Sequence, residues 1–154
     1  MYTLKFIFTL IFIHFFSIGF TQISQLPVSS PPPESMPNKK QAVLIDSIIE
    51  IAGYKENFIS YCTLKVKEAA YQNKWDSSKT NKILRSIDFK YYKTTIYNNY
   101  SFYSENELKK IIEALSILNK KFDRGEKSLI TNEMLQNNLY LIAEGIVEGK
   151  YIME

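Results

Sequence analysis

Basic and aromatic side chains are interleaved between Lys79 and Tyr103, a stretch whose residue types could do chemistry on a partner. Lys79, Lys82, Arg85, Lys90 and Lys93 precede or alternate with Phe89, Tyr91, Tyr92, Tyr97, Tyr100, Phe102 and Tyr103, and only Asp88 opposes them. Cations beside aromatic rings can hold single-stranded nucleic acid, glycans or an anionic membrane surface. The same pattern arises when aromatics fill a core and the basic residues form the solvated side of the helix above it. A ligand site in this stretch would draw its charge from Lys82, Arg85, Lys90 and Lys93 and its contact area from Tyr92, Tyr97 and Tyr100. Such a site fits an anionic glycan, a lipid surface or an envelope protein.

Carboxylates offer a second possibility. Glycoside hydrolysis needs two acids held several ångström apart with unequal pKa values, and Glu105 with Glu107, or Glu144 with Glu148, could supply them. Both members of the first pair have structural explanations. Ser104 and Glu107 fit a capping box, in which the hydroxyl accepts from the Glu107 N–H and the carboxylate returns to the Ser104 N–H. Glu105 suits the positive end of the same helix. No phosphate-cradling glycine loop, metal-ligand spacing or nucleophile motif is present, so no catalytic residue, metal or cofactor is expected. The expectation is a non-enzymatic envelope or protein-interaction module, with a helical cell-wall glycan hydrolase using a Glu pair as the alternative.

Targeting signals bear on the same question. Lys5 is followed by an uncharged run over residues 6–20, the layout of a secretory signal peptide. As a helix that run spans about 22 Å, short of the ~30 Å hydrocarbon core of a bilayer. Gly19 and Thr21 place cleavage after Thr21, with Ser17 and Gly19 marking a competing site and an uncleaved anchor as the alternative. No cysteine stands at the cleavage site, which argues against a lipoprotein. The expected location is the periplasm or the cell exterior, with no stable membrane span after cleavage. His14 is the chain's one histidine and lies inside the segment to be removed. A mature chain without imidazole excludes Ser-His-Asp and Cys-His catalysis and histidine-ligated metal sites by composition. Loss of Lys5 leaves eighteen Lys and Arg against sixteen Asp and Glu. That excess is too small to imply a nucleic-acid partner.

The elements that must position these groups read as helices. All five prolines lie between Pro27 and Pro37, so residues 22–38 are expected as an extended Pro/Ser-rich tether, with a ligand for a proline-recognition module as the alternative. Residues 39–154 contain no proline and four glycines, and the apolar residues recur at helical spacing. This is the signature of an all-α domain, a compact bundle of four or five helices. Leu44, Ile45, Ile48, Ile51 and Ala52 make one face that stops at Gly53. A second helix over residues 55–72 carries Ile59, Cys62, Val66, Ala69 and Ala70. Trp75 and Asp76 mark a turn, after which Asp76, Ser77 or Ser78 can cap a third helix bearing Ile83, Leu84, Ile87 and Tyr91. Its periodicity runs on into residues 89–103, which are rich in residues that strands favour but are expected as a continued helix breaking near Asn98 and Asn99. A staple of Tyr103 on Leu108 opens the next helix, with Ile111, Ile112, Leu115, Leu118 and Phe122 on its face and Gly125 as C-terminal cap. Leu135, Leu139, Ile142, Ile146 and Val147 mark a closing helix over residues 131–149. Cys62, the single cysteine, can form no intramolecular disulfide. It is expected as a small buried residue, with a reactive or dimerising thiol as the alternative.

Two stretches resemble the DUF2059 family, small exported helical proteins of unknown function. Residues 45–53, Ile-Asp-Ser-Ile-Ile-Glu-Ile-Ala-Gly, are similar to that family's opening leucine-rich helix ending in glycine. Residues 97–108 are similar to its pattern of aromatic residue, serine and Glu-Leu. The resemblance implies a helical fold and export, and no reaction or ligand.

Overall fold

In the computed structural model the chain divides into two units, residues 1–33 and 34–154. The structure describes residues 36–121, 127 and 129–152, all in the second unit. The expected signal peptide with its cleavage site, most of the tether, Phe122 and the Gly125 cap lie outside the described residues. Among the described residues there are six helices and no strand: α1 Lys39–Ala52, α2 Tyr54–Gln72, α3 Ser77–Arg85, α4 Lys90–Tyr100, α5 Glu105–Lys121 and α6 Glu133–Val147. The all-α expectation holds.

Local chemistry sets the boundaries. Asn38 opens α1 with a capping box: its side chain accepts from the Gln41 N–H at 2.9 Å while the Gln41 side chain accepts from the Asn38 N–H at 2.9 Å. Gly53 closes α1 at φ 66°, its N–H donating to the carbonyls of Glu50 and Ile49, and α2 starts at the next residue. The positive φ favours glycine there, and a Cβ would lie 2.7 Å from Lys127 Cδ, so that side chain would have to shift as well. Asp76 caps α3 by accepting from the Lys79 N–H at 2.7 Å, and Asn132 caps α6 by accepting from the Leu135 N–H at 2.9 Å. At α5 the Glu107 carboxylate accepts from the Ser104 N–H at 2.8 Å and Ser104 Oγ accepts from the Glu107 N–H at 3.3 Å. The capping box expected there is present.

The segment read as one continued third helix is two. It breaks at residues 86–89, and α4 then runs unbroken through Asn98 and Asn99 to Tyr100. The Ser86 hydroxyl donates to the Ile83 carbonyl at 2.7 Å, and the Asp88 carboxylate accepts from the Lys90 N–H at 2.9 Å. These side chains offer the backbone an alternative to helical pairing, so the turn forms although the apolar spacing continues across it.

The core is assembled around α2 and α4. Tyr54, Phe58, Cys62 and Val66 bury one stripe of α2, and Tyr92, Ile96 and Tyr100 bury one stripe of α4, each at four-residue spacing. Phe58 stacks on Tyr92 at 5.5 Å between ring centroids and meets Phe89 edge-on at 5.9 Å. Such aromatic pairs each add about 0.5–1.5 kcal/mol beyond the area they bury. Ile59, expected on the α2 core face, is 39% exposed, whereas Tyr54 and Phe58 are fully enclosed. Cys62 and Val66 of the expected face are buried, and the stripe continues toward the N-terminus through Phe58 and Tyr54, the latter left outside the helix by the sequence-based start at Lys55. Helix α6 covers α2 and α4 with Leu135, Leu139, Ile142, Ala143 and Ile146, while α1 packs against α4 and α5. Of the α5 residues expected in the core, Leu108 and Leu115 are buried, Ile111 and Ile112 are half-buried, and Leu118 is exposed. None of the described helices is long and apolar enough to cross a membrane.

Candidate functional site

The structure sorts the basic-aromatic stretch into three environments. Tyr92 and Tyr100 are core residues and supply no contact area for a ligand. Tyr92 donates its hydroxyl to the Leu135 carbonyl at 3.0 Å. Tyr54 donates to the Ile130 carbonyl, so the 2.9 Å bond between the Tyr100 and Tyr54 oxygens is donated by Tyr100. A hydroxyl chain Tyr100 to Tyr54 to Ile130 thus ties α4 and α2 to the segment leading into α6. Burial pushes the Tyr54 hydroxyl far above the ordinary tyrosine range and Tyr92 up to about 12, so both remain neutral donors.

Lys93 and Tyr97 belong to a clamp between α1 and α4. The Lys93 ammonium lies 2.9 Å from an Asp46 carboxylate oxygen, Tyr97 donates to that carboxylate at 2.7 Å, and the ammonium sits 5.1 Å from the Tyr97 ring centre. Partial burial would raise the Asp46 pKa, but the hydrogen bonds from Lys93 and Tyr97 with the Lys93 charge hold it below the usual value. This arrangement fastens two helices and leaves those groups engaged with each other.

Lys82 and Arg85 make the third environment. Lys79 lies over the Trp75 ring at 4.2 Å, Lys90 pairs with Asp88 at 3.0 Å, and Lys93 pairs with Asp46. Lys82 and Arg85, by contrast, have no ion-pair partner among the described residues. Both line an open groove of about 630 Å³ whose other wall carries Tyr91 and Tyr151. These two rings approach to 4.3 Å at a 36° tilt. Placement in the last turn of α3 suits their charge, because the C-terminal end of a helix is partially negative. Dipole stabilisation is a surface effect of about 0.3–1 kcal/mol and leaves both cations available.

Sequence reasoning missed Tyr151 as a groove residue and assigned Tyr91 to the core face. Tyr151 is positioned by a glycine: a Cβ at Gly145 would fall 2.9 Å from its ring, so the bare backbone of α6 is where the ring rests. An isolated glycine inside a strongly periodic helix was the available clue.

The acids considered for hydrolysis are differently placed. Glu107 is consumed by the cap, and the bonds from the Ser104 hydroxyl and N–H lower its pKa. Glu144 and Glu148 line a second groove, of about 510 Å³, between α2 and α6 together with Glu68. Glu148 pairs with Lys150 at 2.5 Å and Glu68 with Lys65 at 2.9 Å. A general acid needs a raised pKa. Among the described residues the carboxylates whose pKa is displaced, Asp46, Glu56, Asp88 and Glu107, are all lowered. Among the described residues no cluster of three His, Cys, Asp or Glu side chains could hold a metal ion. Burial pushes the Cys62 thiol up to about 12, well away from the range of reactive thiolates.

Comparison of the chain with protein-family models, with curated proteins and with solved structures finds no match.

Proposed function

We propose that this is an exported, non-enzymatic binding module that holds an anionic partner at the edge formed by α3 and the C-terminal segment. The observation that carries the proposal is the Lys82–Arg85 pair, two cations one turn apart on a groove with no ion-pair partner among the described residues, in a stretch where Lys90 and Lys93 are neutralised. Export is supported by the Lys5 and apolar-run pattern and by the resemblance to the exported DUF2059 family. A hydrolytic role draws less support, since the best-placed acid, Glu107, is a helix cap with a lowered pKa.

Retention of the full chain on a polyanionic matrix tests the site. Wild-type protein should be retained and should elute with rising salt, because exposed charges are screened beyond about 8 Å at physiological ionic strength. Replacing Lys82 and Arg85 by Glu should abolish retention, while replacing Lys109 and Lys110 on α5 by Glu, the same change in net charge, should not. Equal losses in the two double variants would show that total charge, not this groove, governs binding.

A further inference from the structure

We infer that the groove between α3 and the Tyr91–Tyr151 pair is a binding site for a carboxylate-bearing sugar, a uronic-acid ring or short oligomer. The inference rests on the proposal that the Lys82–Arg85 edge binds an anionic partner and specifies the ligand's chemistry. Ser78, Asn81, Lys82 and Arg85 all line the groove. Their spacing of three, four and seven residues aligns them on one face of α3 over about 10 Å of helix. At one end of this stripe the Arg85 fork matches a carboxylate with two parallel N–H bonds, and Lys82 adds a point charge beside it.

The remaining groups suit hydroxyls, which both donate and accept. The side chains of Ser78 and Asn81 make no hydrogen bond among the described residues, and each can donate and accept. Asp88, also on the groove, accepts from the Lys90 N–H and pairs with the Lys90 ammonium, and a carboxylate has about four acceptor sites, so capacity for a ligand hydroxyl remains. The opposite wall supplies two half-buried tyrosine rings, Tyr91 with the Lys90 ammonium 5.0 Å from its ring centre and Tyr151 packed against it, whose remaining apolar surface and hydroxyls border the groove. The volume falls within the range of small-molecule clefts, about 300–1,000 Å³.

Other anionic partners fit less well. Lipid would bring acyl chains, yet none of the exposed large hydrophobic residues lies on α3 or α4. A peptide added as a strand would need a sheet edge, and the described residues contain no strand.

Calorimetric titration of the full chain with a galacturonate trimer, its methyl ester and a hexaglutamate peptide tests the inference. The trimer should bind, the ester at least about tenfold more weakly, since a charge-assisted carboxylate bond is lost. Arg85→Gln should weaken the trimer by a similar factor. Asn81→Ala should weaken it severalfold while leaving any hexaglutamate binding unchanged; both residues are exposed, so circular dichroism of each variant should match wild type. Equal affinity for trimer and ester, or binding of trimer and hexaglutamate alike with indifference to Asn81→Ala, would overturn the sugar assignment and leave an anion-binding edge. No binding of trimer or hexaglutamate would overturn both.

Discussion

Tyr92 and Tyr91 are neighbours in sequence and have opposite fates. Tyr92 stacks on Phe58 and gives its hydroxyl to the Leu135 carbonyl in the interior, while Tyr91 meets Tyr151 on the wall of an open groove. Successive residues on a helix are turned by about 100°, so one step along the chain separates a core side chain from a surface one. Interior Tyr92 and Tyr54 are specified by backbone carbonyls that α6 and its approach bring to them, and Tyr100 by the Tyr54 hydroxyl. The edge tyrosines are specified by each other and by a glycine. Residue type in the basic-aromatic stretch therefore says little about role; the partner supplied by the fold decides it.

The largest effect should come from emptying the interior side of this contrast. Phe58→Ala removes a fully buried ring that touches Tyr92 and Phe89 and should cost about 3–5 kcal/mol, read from the urea midpoint. The matching edge change, Tyr91→Ala, should cost about 1 kcal/mol. Similar costs for the two would erase the distinction between core and edge.

An intermediate effect is expected from Tyr54→Phe. It leaves the Ile130 carbonyl and the Tyr100 hydroxyl each without a partner, for a loss of about 1–2 kcal/mol. The same variant should change the alkaline limb of stability. Tyr54, Tyr92 and Tyr100 are all raised chiefly by burial, so the folded state keeps them neutral while the unfolded chain ionises. Their contribution is full below pH about 10 and is lost as pH rises toward the folded values, and Cys62 adds a similar loss from about pH 8.5. Tyr54→Phe should flatten that decline, and an unchanged slope would mean the hydroxyl is solvated.

The smallest effect concerns the clamp that the edge does not use. Asp46 has a lowered pKa, so its contribution is present above pH about 4 and is lost as pH falls through the folded value. The pair is exposed, and Asp46→Asn should cost under about 1 kcal/mol at pH 7. It should also make stability less sensitive to pH below about 4 than in wild type, with Glu56, Asp88 and Glu107 keeping part of the acid decline. A variant as acid-sensitive as wild type would remove Asp46 from the account.

What the sequence disclosed divides along the same line. The capping box at Ser104 and Glu107, a cap within Asp76, Ser77 or Ser78 and the Gly53 stop were legible because each depends on residues within a turn of one another. The closing helix was legible because Leu135, Leu139, Ile142 and Ile146 repeat without interruption. The break after Arg85 was not, since Ile83, Ile87 and Tyr91 keep helical spacing across it while Ser86 and Asp88 choose local backbone partners. Within the site, the charge of Lys82 and Arg85 was legible and the choice of tyrosine was not. Tyr91 is joined there by a residue sixty positions away, and no local pattern encodes that meeting.

Cys62 sits at zero exposure among Phe58, Val66 and the rest of the α2 stripe, and it is the chain's one thiol. A maleimide cannot reach it until the interior opens. In native buffer the rate of thiol capture is therefore a count of opening events, governed by the opening equilibrium when reclosure is fast and by the unfolding rate when capture is faster. The folded domain carries its own clock, and while that clock is stopped two copies cannot be joined through sulfur.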